Sequence, residues 1–184
     1  MTTGHRIASL ILQISRNFRQ RAIAPFRIVI HQTAGTTLIG ALETLALRGF
    51  SYHDIIDIDG TLHELVNLNR EAFHAGRGNA GTIGLAFVGN FSNGSRPTAA
   101  QITTAKKRIR YYRENFNISD MVGHDFYVTT ACPSFDINIL SPAFADEESE
   151  ESPKCEKCYY RANSTRFTLL VHKIQSILKE FENE

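Results

Sequence analysis

The sequence predicts a single α/β domain with a mixed central β-sheet flanked by helices on both faces. Three observations carry this. Short runs rich in β-branched residues, FRIVIH at 26–31 and TIGLAFVGNF at 82–91, read as buried strands. Helix-periodic segments lie between and after them. A hairpin pattern in the middle breaks the strict strand–helix alternation that a purely parallel sheet requires.

Taken in order, Ile7, Leu10, Ile11, Ile14 and Phe18 follow helical spacing. Residues 1–24 therefore form an amphipathic helix docked on the domain. FRIVIH is a strand ending at His31. Leu38, Leu42, Leu45 and Ala46 recur at helical intervals within 36–48, and Gly49 follows as a stop. SYHDIIDIDGTLHELVN reads as two short strands with Asp59-Gly60 at the turn. Gly76, Gly78 and Gly81 punctuate a loop over 67–81. Pro97 opens a helix to about Asn117, with Ile102, Ala105, Ile109, Tyr112 and Phe116 on one side. MVGH is a short strand that delivers His124. The core is expected over 25–140. Residues 141–184 hold an acidic loop (DEESEESP, 146–153), a C-x-x-C at Cys155 and Cys158, and a last helix from about residue 163 to 181 that packs on the core.

The bulk numbers exclude several classes. At 184 residues there is room for one real core and not for two. Apolar residues make up 42% and charged residues 21%, with a net charge of +1, so no global field recruits nucleic acid or an anionic membrane. No apolar run reaches the length of a membrane span. The N-terminal apolar stretch is interrupted by Gln13 and Ser15 and lacks a small-residue cleavage site, which predicts cytoplasmic synthesis. Three cysteines are too few for a disulfide framework.

The chemistry concentrates in three residues. His31 closes an apolar strand, and His124 and Cys132 stand eight residues apart. Two imidazoles and one thiolate suit a tetrahedral zinc with one position left to a non-protein ligand. Each alone has a plainer reading: a hydrogen-bonded core histidine, or a small buried thiol. Cys155 and Cys158 admit half a metal site, a redox pair or two silent thiols.

Five blocks occur in order: IVIHQTAG, SYHDIIDIDGTLHELV, NREAFHAG, NAGTIGLAFVGNFS and GHDFYVTTACPSFD. Together they resemble the zinc amidases that cleave N-acetylmuramoyl-L-alanine bonds, a family of phage lysozymes, peptidoglycan recognition proteins and cytoplasmic recycling amidases. The likeness runs from about Phe26 to Asp136. It implies that His31, His124 and Cys132 ligate zinc and that Tyr52, at the start of the hairpin, assists catalysis. Thr130 stands where phage lysozymes have lysine and where catalytic recognition proteins commonly have threonine. His74 and Asn79 match the substrate-side loop. The recycling amidases carry glutamate where this chain has Ala86, and aspartate as third ligand, so the likeness favours the other two branches.

The resemblance thus implies zinc-dependent hydrolysis of peptidoglycan or muropeptides, endolysin-like or antibacterial effector-like, acting on the wall after release or delivery. Two alternatives stay open. One is a binding module that holds muropeptides without cutting. The other is a regulatory protein that captures an unnamed partner through its terminal segments. Read alone, Tyr52 is also a packing aromatic and Thr130 a turn hydroxyl. His74 and Asn79 could instead shape their own loop. Either Tyr52 through water or His53 beside it could supply the leaving-group proton. Phe126 and Tyr127, between two ligands, suit either a groove wall or packing beneath the loop.

Overall fold

The computed structural model describes residues 2–15 and 18–143. The acidic stretch, Cys155, Cys158 and the expected last helix lie outside the described residues.

Helix α1 covers Thr3–Ser15 and strand β1 covers Arg27–Gln32. Helix α2 runs Leu38–Arg48. The hairpin strands are β2, Asp54–Ile56, and β3, Leu62–Glu64. Strand β4 is Thr82–Phe87, helix α3 is Ala99–Asn115, and strand β5 is Asp120–Gly123. The five strands form one sheet in the order β3-β2-β4-β1-β5. Within it the β2–β3 pair is antiparallel, while β2–β4, β4–β1 and β1–β5 are parallel. The mixed sheet follows from the hairpin, whose return strand becomes an edge.

Local chemistry sets the helix ends. Thr37 caps α2 by accepting from the Gly40 N–H, and Gly49 closes it at φ 66°, a left-handed conformation that glycine adopts freely. Helix α3 begins with a capping box: Thr98 Oγ accepts from Gln101 N, and Gln101 Oε1 accepts from Thr98 N. Pro97 therefore precedes the cap rather than opening the helix. The hairpin turn is wider than a two-residue one. Asp57 and Thr61 still pair across it, and Gly60 sits at φ 89°.

Strand alternation divides the core in two. Ile28, Ile30, Ile83, Leu85 and Phe87 point to one face, where Ala105, Ile109 and Tyr112 of α3 cover them together with Leu140 and Ala143. On the other face, Leu38, Leu42 and Leu45 of α2 pack with Ile55, Ala86, Val88, Ile14 and Phe18. Helix α1 reaches this second layer through Ile7, Leu10, Ile11 and Ile14, and Arg6 pairs with Glu43 of α2. Helices thus lie on both faces, as the sequence predicts. Among the described residues no helix is long and apolar enough to cross a membrane.

Candidate metal centre

His31 is the fifth residue of β1 and points to the α2 face with Val29, opposite Ala86 of β4 in register. His124 follows the last residue of β5 and starts a short 3-10 helix, His124–Phe126. Since β5 pairs with β1, its end arrives beside His31. The chain then loops and returns Cys132, whose carbonyl accepts from the Asp125 N–H at 3.1 Å. One ligand atom from each of His31, His124 and Cys132 lies within 4.8 Å of the others. The two imidazole centroids are 4.5 Å apart, and Cys132 Sγ is 3.9 Å from His31 Nδ1.

The hydrogen-bond chain behind His31 fixes which nitrogen faces the thiol. Thr82 Oγ donates to the Gly78 carbonyl at 2.7 Å, so toward His74 it can only accept. His74 Nε2, 3.3 Å away, then carries the hydrogen, and His74 Nδ1 is a bare acceptor. His31 Nε2 donates to it at 3.0 Å. This leaves His31 Nδ1 with its lone pair aimed at the Cys132 side, the tautomer a ligand needs. Burial, with smaller contributions from neighbouring histidines, holds His31 and His74 well below the usual histidine range and so keeps both neutral. Burial also lowers His124, against the opposing pull of Asp125. The Cys132 thiol is pushed up by burial, with the Gln32 N–H at 3.3 Å favouring the thiolate. Neutral imidazoles and a thiol that gains by meeting a cation fit zinc.

Space for His74 comes from a strand that reads as uniformly apolar. Thr82, Gly84 and Ala86 alternate with Ile83, Leu85 and Phe87. The small residues face the histidines: a Cβ on Gly84 would lie 2.7 Å from the His74 ring. That small-large alternation was the available signal for Thr82, which the sequence reading did not single out. Gln32 was also missed. Its Nε2 donates to Ser134 at 2.8 Å, and its Oε1 accepts from Phe91 N at 2.6 Å, joining the end of β1 to the segment after Cys132.

Tyr52 lies against His31 with ring centroids 4.8 Å apart, and burial raises its phenol above the ordinary tyrosine value. Thr130 Oγ accepts from Cys132 N at 3.2 Å, on the exposed ligand-bearing loop. Asn79 Oδ1 accepts from His74 N at 3.0 Å and Ala75 N at 2.7 Å, so it shapes the loop that carries His74. His53 is fully buried. Its Nδ1 accepts from Gly84 N, its Nε2 meets the Arg70 carbonyl, and burial drops it to about 3. Burial and low basicity remove it as a proton source for the cleft.

A cleft of about 430 Å³ opens on these groups. Tyr52, His74, Asn79 and His124 line it, with Phe50, Phe73, Val128 and Arg48 as walls. A second, shallower cleft of about 550 Å³ adjoins it at Val128, lined by Arg77, Asp125, Phe126, Tyr127 and Thr129.

Residues 21–135 match the family model described as N-acetylmuramoyl-L-alanine amidase. A peptidoglycan-recognition protein of Drosophila simulans is 33% identical over 89 residues, which are 47% of this chain and 48% of that protein. The chain thus matches about half the length of this curated relative. Among solved structures, the N-acetylmuramoyl-L-alanine amidase LysC from Clostridium intestinale URNW superposes with a TM-score of 0.61 at 27% identity, covering 71% of this chain and 95% of that one. Drosophila peptidoglycan recognition protein SA shares the fold, with a TM-score of 0.56 at 23% identity over 65% of this chain and 78% of that one.

Proposed function

This chain belongs to the N-acetylmuramoyl-L-alanine amidase family, and from that premise we propose that it hydrolyses the amide between N-acetylmuramic acid and L-alanine in peptidoglycan with the help of zinc. The observation that carries the reading is the convergence of His31, His124 and Cys132 beside a cleft that Tyr52 lines.

His31, His124 and Cys132 would hold the ion, the two neutral imidazoles and the thiolate being the donor types zinc favours. Zinc, when bound, supplies Lewis acidity and activates water near neutral pH. The protein does the rest. The Thr82–His74 chain holds His31 in its ligand tautomer. Tyr52 keeps its proton, because burial disfavours the phenolate, and donates a hydrogen bond where negative charge develops on the carbonyl oxygen. Thr130 uses its oxygen to accept from Cys132 N, which leaves its own hydrogen for a weaker second donor. Phe50, Phe73 and Val128 give the substrate apolar walls. The substrate is the wall polymer, so the chain acts where that polymer is exposed to it.

The test is incubation of the zinc-loaded protein with purified peptidoglycan, followed by detection of stem peptides with a new L-alanine N-terminus. Chelation abolishes release and added zinc restores it. Cys132→Ala is inactive, and Tyr52→Phe loses about a hundredfold in kcat, the cost of one oxyanion donor. Tight muropeptide binding by zinc-loaded protein that releases no peptide would establish the recognition reading instead.

A further inference from the structure

The loop that carries two of the three ligands is held at a second point, away from them. Arg27 and His31 lie four residues apart on β1, so they share a face, about 13 Å apart along the strand. Opposite Arg27 in register stands Asp120 of β5, which accepts from Arg27 Nε at 2.6 Å. After His124 the chain turns back, with Tyr127 N donating to the His124 carbonyl at 3.0 Å. This turn lays Phe126 and Tyr127 over Arg27. The guanidinium carbon is 4.7 Å from the Phe126 ring centroid and 6.0 Å from that of Tyr127, and Arg27 Nη1 donates to the Tyr127 hydroxyl at 3.0 Å.

The Tyr127 ring also rests on Gly78, where an added Cβ would lie 2.7 Å from it. Gly78 is the residue whose carbonyl ends the hydrogen-bond chain that starts at His31. The loop bearing His124 and Cys132 and the chain orienting His31 therefore meet at one backbone position. Phe126 is 57% exposed, and among the described residues its ring meets the Arg27 guanidinium and the edge of Tyr127.

We propose that Arg27, through Phe126 and Tyr127, is a positioning residue for the metal: it fixes the 124–132 loop so that His124 and Cys132 meet His31 before the ion arrives. The inference rests on the zinc reading of the site and adds the device that pre-sets two of its ligands. Mere structural support would change unfolding without changing the affinity of folded protein for zinc.

The experiment measures zinc affinity of the folded chain by competition with a chromogenic chelator, alongside unfolding midpoints. Arg27→Met weakens zinc by about tenfold or more, the range seen when outer partners of a ligand are removed. Arg27→Lys recovers part of the affinity, since the charge stays and the planar fork is lost. Tyr127→Phe, which removes one hydroxyl and is no threat to folding, weakens zinc by a smaller factor. Ile109→Val, a mild truncation in the core beneath α3, lowers the midpoint and leaves zinc affinity unchanged. Wild-type affinity in Arg27→Met, or an equal loss in Ile109→Val, overturns the proposal. Wild-type protein that binds no zinc overturns the metal reading itself, and the inference with it.

Discussion

The two faces of this sheet use the same strands for different ends. Toward α3, Ile28, Ile30, Ile83, Leu85 and Phe87 pack with Ile109 and the Tyr112 ring into a mainly apolar layer, whose buried Asp54 accepts from the Tyr112 hydroxyl and from Arg108 Nε at its margin. Toward α2, the intervening positions of β1 and β4 include His31, Thr82 and Gly84, and the layer holds His53 and His74 as well. Each of these buried polar groups has a partner: His31 with His74, His74 with Thr82, Thr82 with Gly78, and His53 with Gly84 and Arg70. One face derives stability from apolar area. The other gives up area to orient imidazoles, and tolerates them in its core because their nitrogens join a hydrogen-bond network that leaves only His31 Nδ1 facing the Cys132 thiol. The difference teaches that stability and metal affinity should respond to different residues on one sheet.

Substitutions can break or sharpen that division. The largest expected effect is on the α3 face: Ile109→Ala costs about 2–5 kcal/mol of unfolding free energy, from lost burial and the cavity left behind. Urea denaturation reads it, and zinc affinity of the folded fraction stays unchanged. Next comes Cys132→Ala. A zinc site worth about 10–16 kcal/mol shared among four ligands puts one ligand near 3 kcal/mol, roughly a hundredfold in affinity. Unfolding of the metal-free protein moves by less than about 1 kcal/mol, since the thiol is half-buried at the rim.

Thr82→Val is more discriminating. It keeps the shape and removes the acceptor of His74 Nε2, which frees the tautomer chain behind His31. Zinc affinity falls by about 10–100-fold, as for other outer-shell partners of ligands. Stability falls on either reading, since the Gly78 carbonyl and His74 Nε2 both lose a buried partner, so affinity decides: a purely structural Thr82 would leave it alone, which would erase the division between the faces. The smallest effect is Thr98→Ala, which removes the α3 cap and costs about 1 kcal/mol in thermal or urea unfolding with no change at the metal centre.

The sequence made the fold class and the element order legible because each buried run kept one period. FRIVIH, TIGLAFVGNF and the α2 segment matched a single template each, and Gly49 marked a real helix end. Pro97 was misplaced by two positions because Thr98 and Gln101 form a reciprocal cap that fixes the start more strongly than the proline does. The convergence of His31, His124 and Cys132 was legible through the ordered blocks and not through spacing, since nothing local says that β5 pairs with β1. Thr82, Gln32 and Arg27 were not read as site residues. Their roles depend on register between parallel strands, which no turn fixes, and on a loop that folds back over the sheet. The resemblance placed His74 on the substrate-side loop, with loop-shaping as the alternative; its side chain lines the cleft while its ring nitrogens engage His31 and Thr82.

Titration of the metal-free chain with cobalt(II) tests the central claim most directly, because a tetrahedral site and a thiolate ligand each leave a separate absorption band. The account predicts saturation at one equivalent at the His31–His124–Cys132 centre, intense visible bands of a tetrahedral ion, and a near-ultraviolet thiolate-to-cobalt band that vanishes in Cys132→Ala. A band that survives that substitution unchanged, or a wild-type chain with no saturable cobalt site, would contradict it.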